Sequence, residues 1–372
     1  MKTKKNIITI DASSTVSGGG LTYLVEFLNA SNADYQFNII CSTIVSKKIP
    51  VKKNIKIFSH NYLSKGILYR IIFQLFMIDR FIDPLSIILI SLSGDYLGKF
   101  KPYIGVCQNM LLYERDKQIG MRFLEKIKFE ILRIRQILSF NNSNGVIFLS
   151  EYAKKKVSPL LKIKNLSVIN FGISNRFFYN LRDKTDFKDQ FNLLYISSIH
   201  TYKNQLNLLL ALEEVIKVNS NFSLTLIGPI IDNHYWKKVK RKIDKINNYK
   251  KIVNYINFID FELIHEYYNK HNIFIFPSKC ENMPNILFEA MASGLPILSS
   301  KNDPMPEFLK KNAIYFDPDD IHSIVKKILY SSKKIELLKT IAINNISSAK
   351  KYNWQDNYNK TIIFINKTIL NV

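Results

Sequence analysis

The stretch FPSKCENMPNILFEAMASGLPILSS, residues 276–300, decides how this chain is read. It begins on the last residue of an apolar run, Ile273–Phe276, which reads as a buried strand ending at Pro277. A loop follows. Pro284 is expected as the first residue of a helix, where its missing N–H costs nothing. Gly294 and Pro296 then stop that helix. At 100° per residue, Ile286, Leu287, Ala290 and Met291 share a core face, while Asn285 and Glu289 flank it one turn apart. Glu289 is thus expected toward the carboxyl edge of the sheet, where open α/β sheets bind ligands. The backbone at Met283, Pro284, Asn285 and Ile286 is expected to face the same edge, its free N–H groups suiting phosphate or hydroxyl oxygens. Glu281 stands just outside the helix start. Either acid alone reads as a surface residue. As a pair straddling a helix N-terminus they suit sugar hydroxyls, because one carboxylate can accept from two vicinal hydroxyls.

Outward from this unit, short apolar runs alternate with helix-like segments. Asn6–Asp11, Gln36–Thr43, Ile55–Ser59, Ser86–Ser91, Tyr103–Gln108, Gly145–Ser150 and Asn165–Phe171 read as strands. A second series starts at Asn192–Ser197 and continues through a helix over Asn204–Val218, a strand Leu224–Gly228, a helix near Trp236–Ile246, a strand near Tyr255–Phe258 and a helix Phe261–Asn269. Such alternation predicts parallel, doubly wound sheets. Two series predict two Rossmann-like domains, with the boundary between Gly172 and Asp189 where the pattern lapses.

A chain of 372 residues with 47% hydrophobic content can bury large cores, and at that length two domains are expected. Twelve Gly and eleven Pro exclude fibrous and disordered classes. No run free of Asp, Glu, Lys and Arg reaches the roughly 20 residues of a spanning helix. The opening MKTKKNIITIDASS is too short in apolar residues for a signal peptide. Cys41, Cys107 and Cys280 show no metal or disulfide spacing and read as free thiols in a reducing, cytoplasmic compartment. The six His show no ligand pairing, so no metal is expected. The net charge of +23 predicts an anionic partner: phosphorylated ligands, nucleic acid or an acidic membrane face.

The segment ENMPNILFEAMASGLP resembles the Glu-x7-Glu signature of retaining glycosyltransferases of family 4, which have the two-domain GT-B fold. The resemblance implies two Rossmann-like domains facing a central cleft. Residues 1–172 would bind the acceptor, 173–350 the nucleotide sugar, and 351–372 would form a helix crossing back to the first domain. It implies that Glu281 faces the transferred sugar and Glu289 the ribose hydroxyls. In LLYISSIHTYKNQLNLLLAL, residues 193–212, Lys203 matches the family's diphosphate-gripping Lys. Ser198 stands where the family has an Arg, with His200 or a residue from elsewhere as a substitute. Gly18, Gly19 and Gly20 match a Gly-rich loop beside the donor phosphates and the acceptor. As a dinucleotide fingerprint they fail, since the third glycine position is Tyr23. In IGVCQNMLLYE, residues 104–114, Gln108 replaces a family His and Asn109 remains a candidate acceptor residue. Ser150, Asn170, Gly172 and the tail KKYNWQDNYNKTIIFI also resemble the family, and Glu307 matches a structural Glu. The base is expected near the loop after Tyr255–Phe258.

The resemblance implies a metal-independent enzyme without a cofactor. It would move a sugar from a nucleotide-diphosphate donor to a glycan or polyprenyl-linked acceptor in bacterial surface polysaccharide synthesis. A sugar-nucleotide epimerase of the same fold, or a phosphorylase, is one rival. A basic nucleic-acid-binding protein is another, but no such module is recognisable. Over residues 122–138, Phe123, Ile127, Ile131, Ile134 and Leu138 form an apolar stripe, with Arg122, Lys126 and Arg133 on another face. The stripe reads as an ordinary packing face, or as peripheral contact with an anionic membrane or a lipid-linked acceptor.

Overall fold

A computed structural model describes residues 6–371, apart from 17, 119, 179–189 and 249. Most of the expected linker, 179–189, and the first residues of the basic N-terminus lie outside the described residues. The chain divides into two compact units: residues 1–113, 123–172 and 352–372 form the first, and 114–122 with 173–351 the second.

The first unit alternates β1 (Asn6–Asp11), α1 (Gly19–Ala30), β2 (Tyr35–Ser42), α2 (Thr43–Ser46), β3 (Ile55–His60), α3 (Ile67–Phe76), β4 (Ser86–Ser91), β5 (Tyr103–Cys107), α4 (Phe123–Asn142), β6 (Gly145–Phe148), α5 (Glu151–Val157) and β7 (Leu166–Val168). Its strands lie in the order β3-β2-β1-β4-β5-β6-β7, all parallel. The second unit runs β8 (Phe191–Ile196), α6 (Gln205–Val218), β9 (Phe222–Ile227), α7 (Asn233–Ile246), β10 (Val253–Ile256), α8 (Ile264–Lys270), β11 (Ile273–Phe276), α9 (Asn285–Ala292), β12 (Ile297–Ser300), α10 (Met305–Leu309), β13 (Ile314–Phe316), α11 (Ile321–Ser332) and α12 (Ile335–Ala349). Its parallel order is β10-β9-β8-β11-β12-β13. Parallel strands are covered on both faces, so they need near-continuous apolar runs. NIITID, LLYI and IFIF supply them. Strand order reverses between β1 and β4 in one sheet and between β8 and β11 in the other, the crevices where such sheets take ligands.

The last helix, α13 (Trp354–Leu370), packs in the first unit. Tyr358 lies with its ring 5.4 Å from Phe27 and donates its hydroxyl to Asn32 Oδ1 at 2.8 Å. Trp354 stacks on Phe171 at 5.9 Å. A Cβ on Gly172 would meet the Trp354 backbone N at 2.3 Å, so only glycine lets the two backbones approach. Asn170 accepts through its carbonyl from Asn357 Nδ2 at 2.7 Å.

Residues 114–122, read from sequence as part of the first domain, pack instead in the second unit. The turn Arg115–Gln118 lies against the turn Thr201–Lys203, and Gly120 lies beside Thr201.

At the β1–β4 crossing a buried polar network closes the first unit. Asp11 accepts from the Ser13 N–H at 3.0 Å and the Ser13 hydroxyl at 2.5 Å. Gln74 of α3 donates to Ser13 and Ser14, both at 2.9 Å. Arg135 of α4 donates to Gln74 Oε1 at 2.7 Å and to the Asp95 carbonyl at 3.1 Å. Burial, reinforced by nearby Asp95, pushes the Asp11 carboxyl up to about 6. An unfolded Asp titrates near 3.8, so Asp11 favours the fold below that pH and this contribution fades as pH rises through about 6. Asp11→Asn is therefore expected to stabilise the chain at pH 8 relative to wild type, by about 3 kcal/mol at most. The gain should vanish at pH 4 in paired thermal melts. An equal or lower melting temperature for the variant at pH 8 would overturn this.

The same network explains a departure from the sequence reading of α4. Its inward face is Arg135, Gln136, Ser139 and Phe140. The apolar stripe is not a packing face: Phe123, Ile127, Ile131, Ile134 and Leu138 are all exposed. Arg133 is not an open cation either, because its guanidinium pairs with Glu130 one turn earlier. No helix among the described residues is long and apolar enough to cross a membrane.

Candidate functional site

The second unit's switch point brings together the loops that leave β8 and β11. The loop after β8 holds Ser197–His200, the turn Thr201–Lys203 and Asn204, a left-handed residue with φ 63°. Asn tolerates this conformation better than most residues, and its Nδ2 is tied to the Pro318 carbonyl at 2.6 Å. Gln205, the first residue of α6, donates to Ser197 Oγ at 2.9 Å and to the Ser198 carbonyl at 2.8 Å. Tyr195 donates to the Lys203 carbonyl at 2.8 Å. The Lys279 N–H, from the loop after β11, donates to the Tyr202 carbonyl at 2.8 Å and joins the two loops.

Lys203 Nζ meets Glu281 Oε1 at 2.6 Å, with both side chains about nine-tenths buried. Burial alone would lower the pKa of this lysine. Glu281 and Tyr202 outweigh it and hold Lys203 above the ordinary lysine range. Lys203 is therefore a fixed cation with one carboxylate partner, at the end of a strand. Cys280, next to Glu281, is buried, and burial pushes its thiol well up, so it is not a nucleophile. Ser198 lies half-buried, its carbonyl engaged by Gln205. His200 is buried, its ring 4.7 Å from Tyr202.

The α9 segment departs from expectation in two ways. Pro284 is the cap and not the first helical residue: its ψ of 104° is extended, and its carbonyl accepts from the Leu287 N–H at 2.9 Å. The helix begins at Asn285, with Ile286 half-buried behind it and Met283 buried before it. Glu289 does not lie open on the flank. It is buried, and Tyr268 of α8 donates its hydroxyl to Oε2 at 2.8 Å. Burial pushes the Glu289 carboxyl up to about 7, against the lowering effects of the Tyr268 bond and the Arg176 charge. Tyr268, Tyr195 and Gln205 all hold the site in place, and no local pattern marked them. Their partners lie on other elements, and a lone Tyr or Gln in an apolar run reads as ordinary packing.

In the first unit, Gly18 caps α1 with φ 67° and Gly19 opens it. A Cβ on Gly20 would lie 3.0 Å from Gln108 Oε1, so the glycine turn and the loop after β5 come together at one sheet edge. Asn109 is exposed, but its Oδ1 caps the turn Met110–Leu112 by accepting from the Leu111 N–H at 3.0 Å. Ser150 caps α5 and Asn170 Nδ2 binds the Leu149 carbonyl, both structural contacts. Among the described residues, no group of three or more His, Cys, Asp or Glu is placed to hold a metal ion.

The family model described as "Glycosyl transferases group 1" matches residues 178–347, which hold Lys203, Glu281 and Glu289. Residues 178–347 belong to the group 1 glycosyl transferases. The chain is also similar to several curated proteins. The alpha-monoglucosyldiacylglycerol synthase of Acholeplasma laidlawii is 27% identical over 218 residues, 54% of this chain and 52% of that protein. The chain spans about half the length of the first curated relatives it matches. A Staphylococcus aureus capsular polysaccharide biosynthesis glycosyltransferase, CapM, is 22% identical over 326 residues, 81% of this chain and 80% of its own. The sucrose-phosphate synthase of Thermosynechococcus elongatus superposes on 99% of this chain and 100% of its own, with a TM-score of 0.81 at 15% identity. The chain thus has the GT-B fold.

Proposed function

We propose that the chain is a retaining, metal-independent glycosyltransferase of family 4. It moves a sugar from a nucleotide-diphosphate donor to a glycan or polyprenyl-linked acceptor in bacterial surface polysaccharide synthesis, lipopolysaccharide included. The observation that carries this reading is the buried Lys203–Glu281 pair at the second unit's switch point, with Glu289 on the helix that follows. A cation there can exchange its carboxylate partner for a diphosphate, which binds charge-assisted. The freed Glu281 then accepts from the sugar hydroxyls, and Glu289 from the ribose. As the donor bond breaks, negative charge grows on the diphosphate. A preorganised ammonium in a dry site stabilises that charge more than the ground state. The first unit, with Gly18–Gly20 at its sheet edge, takes the acceptor. The enzyme works as a peripheral protein on the cytoplasmic face of an anionic membrane. The capsular name of one relative and the glycolipid name of another support this class of acceptor.

A thermal-shift panel of UDP-, GDP-, ADP- and TDP-sugars tests the reading, since only a ligand of the native state raises the melting temperature. One base series should raise it, by more than the matching free nucleoside does. A panel with no shift at millimolar ligand would sink the donor assignment.

A further inference from the structure

We infer that α3 and α4 together form one surface that docks on an anionic lipid membrane. The inference deepens the peripheral-membrane reading above by naming the surface and its chemistry.

The two helices touch at their buried sides, where Arg135 donates to Gln74 at 2.7 Å. Their opposite sides are apolar and open to water. On α3, Leu68 is 65% exposed and Phe76 72%. Ile72 and Leu75 lie on the same exposed side. On α4, Ile131 is 60% exposed and Leu138 51%. The spacing 68, 72, 75, 76 keeps the first set on one helical side, and 127, 131, 134, 138 the second. Scattered exposed apolar residues are ordinary, but two helices tied to each other by a side-chain bond, each with an apolar side open to water, suit an interaction surface.

The rim selects the partner. Lys65 lies over the rings of Tyr62 and Tyr69, at 5.4 and 5.6 Å, and both tyrosines are partly exposed. Tyrosine with an apolar body and a polar tip, beside a lysine that can reach outward, suits the headgroup layer. Lys126 and Lys128 are exposed near the start of α4. An apolar side with a cationic rim fits acyl chains beneath anionic headgroups. The same rim disfavours a second copy of this chain, whose cations would meet like charge. The Gln74 and Arg135 bonds to Ser13, Ser14 and the Asp95 carbonyl fix both helices to the β1 edge. The lipid-facing surface is thereby held rigidly against the unit that carries the glycine turn.

Flotation of the full chain with phosphatidylglycerol-containing vesicles, and with pure phosphatidylcholine vesicles, tests this without any nucleotide. Wild type should float with the anionic vesicles only, and less as salt rises. Ile72→Gln with Phe76→Gln on α3, and separately Ile127→Gln with Ile131→Gln on α4, should each weaken binding about tenfold or more, the worth of two partly inserted side chains. All four positions are exposed, so the variants should keep the wild-type melting temperature. Loss in the α4 variant alone would overturn the two-helix surface. So would equal flotation with neutral vesicles, or no flotation at low salt. A dimer in wild type that dissociates in the α3 variant would assign the surface to a second copy instead. Nucleotide-sugar thermal shifts run on the same variants separate the two readings. A protein that floats but answers no nucleotide sugar would sink the donor assignment and leave the membrane surface standing.

Discussion

Lys203→Ala lowers the turnover number by about 10²–10³-fold, the usual loss when one preorganised donor to a developing anion is removed. Binding of the free nucleoside, which carries no phosphate, stays within a few fold. On the proposed function the asymmetry follows from where the charge appears: the ammonium would meet the diphosphate, which gains charge only as the sugar leaves. The variant also leaves Glu281 buried without its cation, at a cost of a few kcal/mol in stability. Activity is therefore to be compared at a temperature where circular dichroism shows both proteins folded. Lys203→Arg keeps the charge and restores part of the fold's stability while misplacing the donor. A Lys203→Ala enzyme with wild-type turnover would pass the phosphate role to another cation.

Glu289→Gln weakens donor binding by about 1.5–3 kcal/mol, or roughly 10- to 150-fold, because a charged acceptor is replaced by a neutral one. The pH dependence is the sharper signature. Burial pushes the carboxyl up to about 7, and on the proposed function the ribose hydroxyls donate to its ionised form. Wild-type affinity should rise about tenfold between pH 6 and pH 8, with a proton released on binding. Glu289→Gln should be flat across that range. In the unliganded chain the sign reverses. An unfolded Glu titrates near 4.5, so this group favours the fold below that pH, and its contribution fades as pH rises through about 7. Calorimetry in two buffers of different ionisation enthalpy reads the proton directly. A pH-independent wild-type affinity would remove Glu289 from the ribose.

Strands were the legible part of this fold. Parallel strands covered on both faces need apolar runs such as NIITID and IFIF, and those runs stand out. The Glu281–Glu289 spacing and the frame around Lys203 were equally local. What escaped was set by contacts distant in sequence. Tyr268 reaches Glu289 across 21 positions, and Lys203 meets Glu281 across 78. No single segment announces either. Residues 114–122 carry no change of composition, yet they pack with the second unit. The α4 stripe had the right period, but a period does not tell which side of a helix faces water. Polar anchors at Arg135 and Gln136 turned it outward.

The position of α13 has a consequence for synthesis on the ribosome. Tyr358 and Trp354 cover Phe27, Tyr23 and Phe171. Domains generally fold in the order they are made. Here the first unit waits for its last helix while 173–351, the second unit apart from 114–122, is translated. Through that interval the aromatic side of α1 stands uncovered, a binding site for chaperones and a risk of aggregation. A chain ending prematurely near 350 would lose the cover for good. Its defect would surface in the half of the molecule completed earliest.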